Sequence, residues 1–181
     1  MSALSPAALA VRPAADEFAP YYARYIEQVP DGDVLDTLER QLEETVALAD
    51  RFGEAGAAHR YAPGKWSVKE VLGHLTDAER IFTYRAVCAA RGETGSLPPF
   101  DENAYVAGAD FDARTLNSLL GELTAVRRAT LTFFRGLPLS AFDRRVVANG
   151  VPVSVRALGW ILTGHERHHV RILRERYSER G

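Results

Sequence analysis

The chain has 181 residues, enough for one domain with short extensions, and its 46% hydrophobic and 25% charged residues match an ordinary soluble globular protein. With 22 basic against 24 acidic side chains the net charge is −2, which excludes a strongly basic nucleic-acid binder and an acidic tail protein. Cys88 is the one cysteine, so an internal disulfide framework and a cysteine-rich zinc site are both excluded, and the five histidines become the informative residues.

No Lys or Arg precedes the small apolar run from Ala7 to Val11, and that run is shorter than the roughly 7–15 residues of a secretory core. No apolar run approaches the roughly 18 residues of a membrane span. Together with the lone thiol, this predicts a cytoplasmic protein with neither membrane nor nucleic acid as partner.

Residues 1–19 are rich in Ala and Pro and read as a flexible N-terminal segment, leaving residues 20–181 as a single domain. A short helical extension is predicted from Pro20, carrying Tyr21, Tyr22, Tyr25 and Ile26, and ending before the turn Pro30-Asp31-Gly32. The first long helix starts at the N-cap Asp33. Its stripe is Leu35, Leu38, Leu42, Val46, Ala49 and Phe52, and Gly53 is the predicted stop.

After a loop through Pro63-Gly64, Ser67-Val68-Lys69-Glu70 reads as a capping box, in which the Ser hydroxyl and the Glu carboxylate each satisfy an orphan N–H. The helix it opens carries Val68, Val71, Leu75, Ala78, Phe82, Ala86 and Ala89 inward and stops at Gly92. The connection from Gly92 to Phe111 is long for a compact domain, so it either crosses the bundle or covers a site. A third helix is predicted from Asp112 to Phe134, and a fourth from the cap Ser154 with the stripe Val155, Leu158, Ile161, Leu162, His165, His169, Ile172 and Leu173. Period-2 alternation is confined to a few residues around Val146–Val153, so the predicted class is all-α, a four-helix bundle.

His165 and His169 stand one turn apart in an apolar stripe, about 40° apart around the axis, so two imidazoles can converge on one ion at about 2.0–2.1 Å from each nitrogen. His168 lies on the far edge of the stripe. A third ligand is needed, and His74 is the candidate, with apolar neighbours Val71, Ala78 and Ile81. A single histidine on an apolar face is ordinarily a core residue with a satisfied hydrogen bond; an inward pair is costlier to bury without partners. Glu70, Asp77 and Glu166 are by helical position the candidate catalytic bases, or carboxylates that orient an imidazole through its other N–H, against the simpler reading of solvated carboxylates. His165-Glu166-Arg167-His168-His169 formally matches H-E-x-x-H, but Ile172 and Glu175 stand where the longer peptidase motif needs Gly and His.

Three separated blocks carry a family resemblance. Residues 64–75, Gly-Lys-Trp-Ser-Val-Lys-Glu-Val-Leu-Gly-His-Leu, are similar to a signature of the DinB-like (DinB/YfiT) superfamily. So are residues 164–177, which begin Gly-His-Glu-Arg-His-His, and the linking Pro99-Phe100-Asp101-Glu102-Asn103-Ala104-Tyr105 resembles one branch. The resemblance implies up-down-down-up connectivity and a divalent ion held by His74, His165 and His169, with His168 not a ligand. It also implies a metal-dependent enzyme acting on a small molecule, either an S-transferase using a low-molecular-weight thiol as co-substrate or a related hydrolase. The alternative is a non-catalytic, stress-related metal-binding or interaction bundle; a homodimer is compatible with either. Zn, Ni, Fe or Cu suits three nitrogen ligands.

Overall fold

The computed structural model describes residues 8–177. Each of the four long helices begins where a polar side chain caps it. Asp33 accepts from Leu35 N ahead of α2 (Val34–Ala57), following the short α1 (Ala23–Ile26). The Ser67–Glu70 capping box forms as predicted at the start of α3 (Val68–Arg91): Glu70 N donates to Ser67 Oγ at 3.0 Å and Ser67 N to Glu70 Oε2 at 2.7 Å. Gly92, with φ 80°, closes α3 in the left-handed conformation that a Cβ disfavours. Gly53 does not end α2 but interrupts it: its φ of 62° breaks the helical geometry locally, and the helix resumes to Ala57.

The fold is not all-α. β1 (Ser96–Leu97) pairs parallel with β2 (Arg145–Ala148), which pairs antiparallel with β3 (Val151–Ser154). The two-residue turn Asn149-Gly150 has positive φ at both positions, the backbone that closes a tight hairpin. The long connection holds α4 (Glu102–Ala109), capped by Asp101, and a 3₁₀ turn over Phe111–Ala113. The third long helix, α5 (Leu116–Arg135), accordingly starts at the cap Thr115 and not at Asp112. Asp112 cannot cap it because its carboxylate is taken, accepting from Ser67 Oγ and from Arg60, both at 2.6 Å. The last helix, α6 (Val155–Ile172), is capped by Ser154 as predicted and runs into a π-helical turn at Leu173–Tyr177.

α2 and α3 each pack chiefly on α5 and α6, and only lightly on each other although they are consecutive. Trp160, fully buried, sits in the core and donates its indole N–H to the Leu9 carbonyl. The segment expected to be flexible is therefore seated over its described residues 8–19. Leu9 is buried against Gly159, Arg12 donates to the carbonyls of Ile26 and Val29, and Glu17 accepts from Ser154. Residues 1–7 and 178–181 lie outside the described residues.

Gly164 lets α1 lie directly on α6: a Cβ there would stand 2.1 Å from the Tyr25 carbonyl oxygen. Gly164→Ala is expected to cost about 1–3 kcal/mol and to lower the thermal midpoint by several degrees, measured by calorimetry.

Partial burial raises the pKa of Asp112, but its bonds to Ser67 and Arg60 outweigh this and hold the carboxyl below its ordinary 3.8. A depressed carboxyl stabilises the fold above its unfolded value and loses that contribution as pH falls through the folded one. Asp112→Asn should therefore flatten the loss of stability below about pH 4, read from urea midpoints across an acid series.

Candidate metal centre

His74 comes from the first half of α3, where the capping box starts the helix in register, and His165 and His169 come from successive turns of α6. Their rings converge. His74 Nε2 lies 3.0 Å from His165 Nε2, the ring centroids are 4.6–4.9 Å apart, and one ligand nitrogen from each falls within 4.8 Å of the others. Nitrogens about 2.05 Å from one tetrahedral ion would stand about 3.3 Å apart, so small side-chain adjustments bring this set to bonding geometry.

All three imidazoles are held neutral. Burial pushes His74 down to about 4. His165 and His169 lie well below the ordinary histidine value, through burial first and then through the neighbouring imidazoles and Arg24. A neutral imidazole keeps a lone pair on one ring nitrogen, which is the form a metal needs. Three uncharged nitrogen donors within reach of one point, partly walled off from water, fit a divalent ion.

The cluster opens into a cavity of about 230 Å³ that contains all three histidines. Tyr25 packs edge-on against His165 and His168, each at 5.4 Å, and Trp66 against His74 at 4.7 Å. His168 lines the cavity without joining the group, and burial holds it below the ordinary value. Arg24 sits at Tyr25, donating to its hydroxyl at 3.0 Å. Trp66 and His169 also border a second cavity of about 210 Å³, with Tyr61, Lys65, Asn103 and Tyr177 in its wall. A larger cavity of about 480 Å³, beside Gln41 and Arg171, touches none of the three histidines.

The three candidate bases are not in the cavity wall. Glu70 is bound to Ser67 N and to Arg60 at 2.9 Å. Asp77 pairs with Arg80 at 3.3 Å. Glu166 is buried at 3% exposure and fully engaged, accepting from Arg127 and Gln41 at 2.8 Å and from Thr45 at 2.7 Å. Arg127 in turn forks onto Glu79 at 2.8–3.1 Å and donates to the Leu38 carbonyl at 2.7 Å. The carboxylate that does line the histidine cavity is Glu102, delivered by α4. The sequence signal for it is the Asp101 cap within Phe100-Asp101-Glu102-Asn103, inside a connection already long enough to cover a site.

Residues 37–173 match the family model described as the DinB superfamily. The chain belongs to the DinB superfamily. A protein of Oceanobacillus iheyensis, named provisionally as a metal-dependent hydrolase, is 22% identical over 155 residues, covering 79% of this chain and 87% of that protein. Among solved structures, YfiT from Bacillus subtilis superposes with a TM-score of 0.69 at 19% identity, covering 91% of this chain and 90% of that one. It is described as a probable metal-dependent hydrolase with an unusual four-helix bundle topology. At that identity the likeness is one of fold, and it agrees with a DinB bundle here that carries a small sheet in addition.

Arg127 neutralises two buried carboxylates at once. Arg127→Met should lose about 3–5 kcal/mol of stability, measured by urea unfolding, because it leaves Glu79 and Glu166 buried and unpaired.

Proposed function

We propose that this DinB protein is a metal-dependent enzyme whose ion is held by His74, His165 and His169 and whose nucleophile is a small-molecule thiol or water. The observation that carries the reading is the convergence of three neutral imidazoles on the wall of a cavity. A divalent ion held only by neutral ligands keeps its full charge and supplies Lewis acidity, which favours a deprotonated nucleophile at neutral pH.

The chain's own residues do the rest. Trp66 and Tyr25 pack on the imidazoles and fix their orientation. Glu102, the carboxylate in the cavity wall, would serve as the general acid–base, accepting the proton that the nucleophile gives up and returning it to the leaving group. Aromatic walls from Tyr22, Phe82 and Phe100 favour an apolar substrate portion, and Arg24 favours a carboxylate or other anionic end.

Of the two chemistries, S-transfer draws support from the pair of cavities that share Trp66 and His169, since two components can approach from two sides. Cys88 is half-buried against the core and lines neither cavity, so the thiol is external. The up-down-down-up path implied by the resemblance suits this arrangement, because the 92–115 crossover is what carries α4 to the site. The cytoplasm, with its supply of reduced small thiols, is the compartment this chemistry requires. Hydrolysis is the second reading, favoured by the names given to the two similar proteins.

Protein purified without a histidine tag should carry one equivalent of zinc, nickel or iron by elemental analysis, and His74→Ala and His169→Ala should each lose it. A broad screen then separates the chemistries, pairing activated aryl halides with small thiols and testing p-nitrophenyl esters in water, each with stripped and reloaded protein. Thiol-dependent release of halide supports S-transfer. Ester cleavage without thiol supports the hydrolase, and turnover of neither supports a binding bundle.

A further inference from the structure

We infer that the buried Glu79–Arg127–Glu166 group is a charge reservoir for the metal centre, with Glu79 and Glu166 acting as positioning residues that raise its affinity for a divalent cation. The inference rests on the metal reading proposed above. Four observations carry it.

First, the group is off balance. Two carboxylates share one guanidinium, and all three side chains are between 1% and 4% exposed. The remaining partners are uncharged: Gln41 and Thr45 donate to Glu166, and the Leu38 carbonyl accepts from Arg127. Among the described residues no other cation pairs with Glu79 or Glu166. Counted by formal charge, two carboxylates and one guanidinium leave one net negative charge inside the bundle.

Second, neutralising Arg127 does not require that excess. A buried ion pair is weak evidence for stability, and an unmatched buried charge is a cost. One carboxylate would suffice to hold Arg127.

Third, the group abuts the cluster. Glu79, Arg127, Glu166 and His165 line one small internal cavity of about 10 Å³, closed by Leu75, Phe82 and Leu162. Glu166 also follows His165 directly in the chain. The side chains around that cavity are buried, so the charge acts through low-dielectric surroundings, where it is screened least.

Fourth, the signs complement. Three neutral imidazoles contribute no charge of their own to a cation, and the nearest buried excess charge is negative. The group thus does from a distance what a carboxylate ligand would do at the ion, while leaving the ion's coordination positions to His74, His165, His169 and substrate.

The test separates charge from shape. Affinity for Zn²⁺ and Co²⁺ is measured by competition with a chromophoric chelator, on tag-free protein whose folding is checked by circular dichroism. Glu79→Gln keeps the shape and removes the charge; it should bind each ion about 10–100-fold more weakly. Glu79→Asp keeps the charge and alters the shape; it should stay close to the unaltered chain. Glu166→Gln, which leaves the Glu79–Arg127 fork in place, should repeat the Glu79→Gln loss and serves where Glu79→Gln does not fold.

Unchanged affinity in a folded Glu→Gln variant overturns the inference, as does an equal loss in Glu79→Asp and Glu79→Gln, which would assign a purely structural role. If the unaltered chain binds neither ion, the metal reading itself fails and takes this inference with it. A metal-binding chain whose affinity ignores both carboxylates leaves that reading standing and sinks this inference alone.

Discussion

One guanidinium joins all four long helices. Arg127 belongs to α5, and it reaches the Leu38 carbonyl on α2, Glu79 on α3 and Glu166 on α6. Apolar packing tolerates small rotations of one helix against another; a forked ion pair with its hydrogen bonds satisfied does not. Pinning Glu166 therefore sets the rotation of α6. At 100° per residue, His165 and His169 then lie about 60–100° round from Glu166 on one flank, which is the flank turned toward α3 and α1. The group that looks like a stability device is also what aims the histidines.

The bundle alone does not make the cavity. Its wall is completed by elements that lie outside the four long helices. α1 supplies Arg24 and Tyr25, and it can do so only because Gly164 allows its backbone to rest on α6. The crossover supplies Phe100 from the loop before α4 and Glu102 from its first turn. The same frame with other attachments would present the same three imidazoles to a different space, in keeping with the general rule that function resides in sites grafted onto a fold.

Much of this was legible in the residues, and the failures have physical causes. Helical spacing placed His165 and His169 together because both lie in an apolar stripe, and the Ser67–Glu70 box placed the start of α3 because both halves of that motif are local. The partners of Glu166 were not legible, because position on a helix says which way a side chain points, not what it meets there. A signal did exist: Glu79 lies between Leu75 and Phe82, Arg127 follows Leu123 by one turn, and Glu166 follows Leu162 by one turn. Charges of opposite sign set into three apolar stripes announce a buried ion group. The sheet was missed for a different reason. Its strands are short and one pairing is with the distant Ser96–Leu97, which no local pattern encodes, although Asn149-Gly150 marked the hairpin. The helix start predicted at Asp112 was early because that residue's carboxylate is claimed by Ser67 and Arg60, far away in sequence.

Neutral ligands pose a problem that the buried group answers. An ion held by three imidazoles keeps the most Lewis acidity, because no ligand donates charge to it, but for the same reason it is held less firmly than by carboxylates. Placing a carboxylate on the ion would tighten it and blunt it together. Placing the negative charge one layer back separates the two properties. A Coulomb interaction falls only as the inverse of distance and so still favours a cation there, whereas charge donation needs a bond and vanishes. The internal position also removes the screening that salt and water would impose on a surface carboxylate. On this argument Glu79 and Glu166 belong on the side of the imidazoles away from the open cavity, and that is where the ion group of α3, α5 and α6 stands: its small cavity and the open histidine cavity share His165 and Phe82 but neither carboxylate.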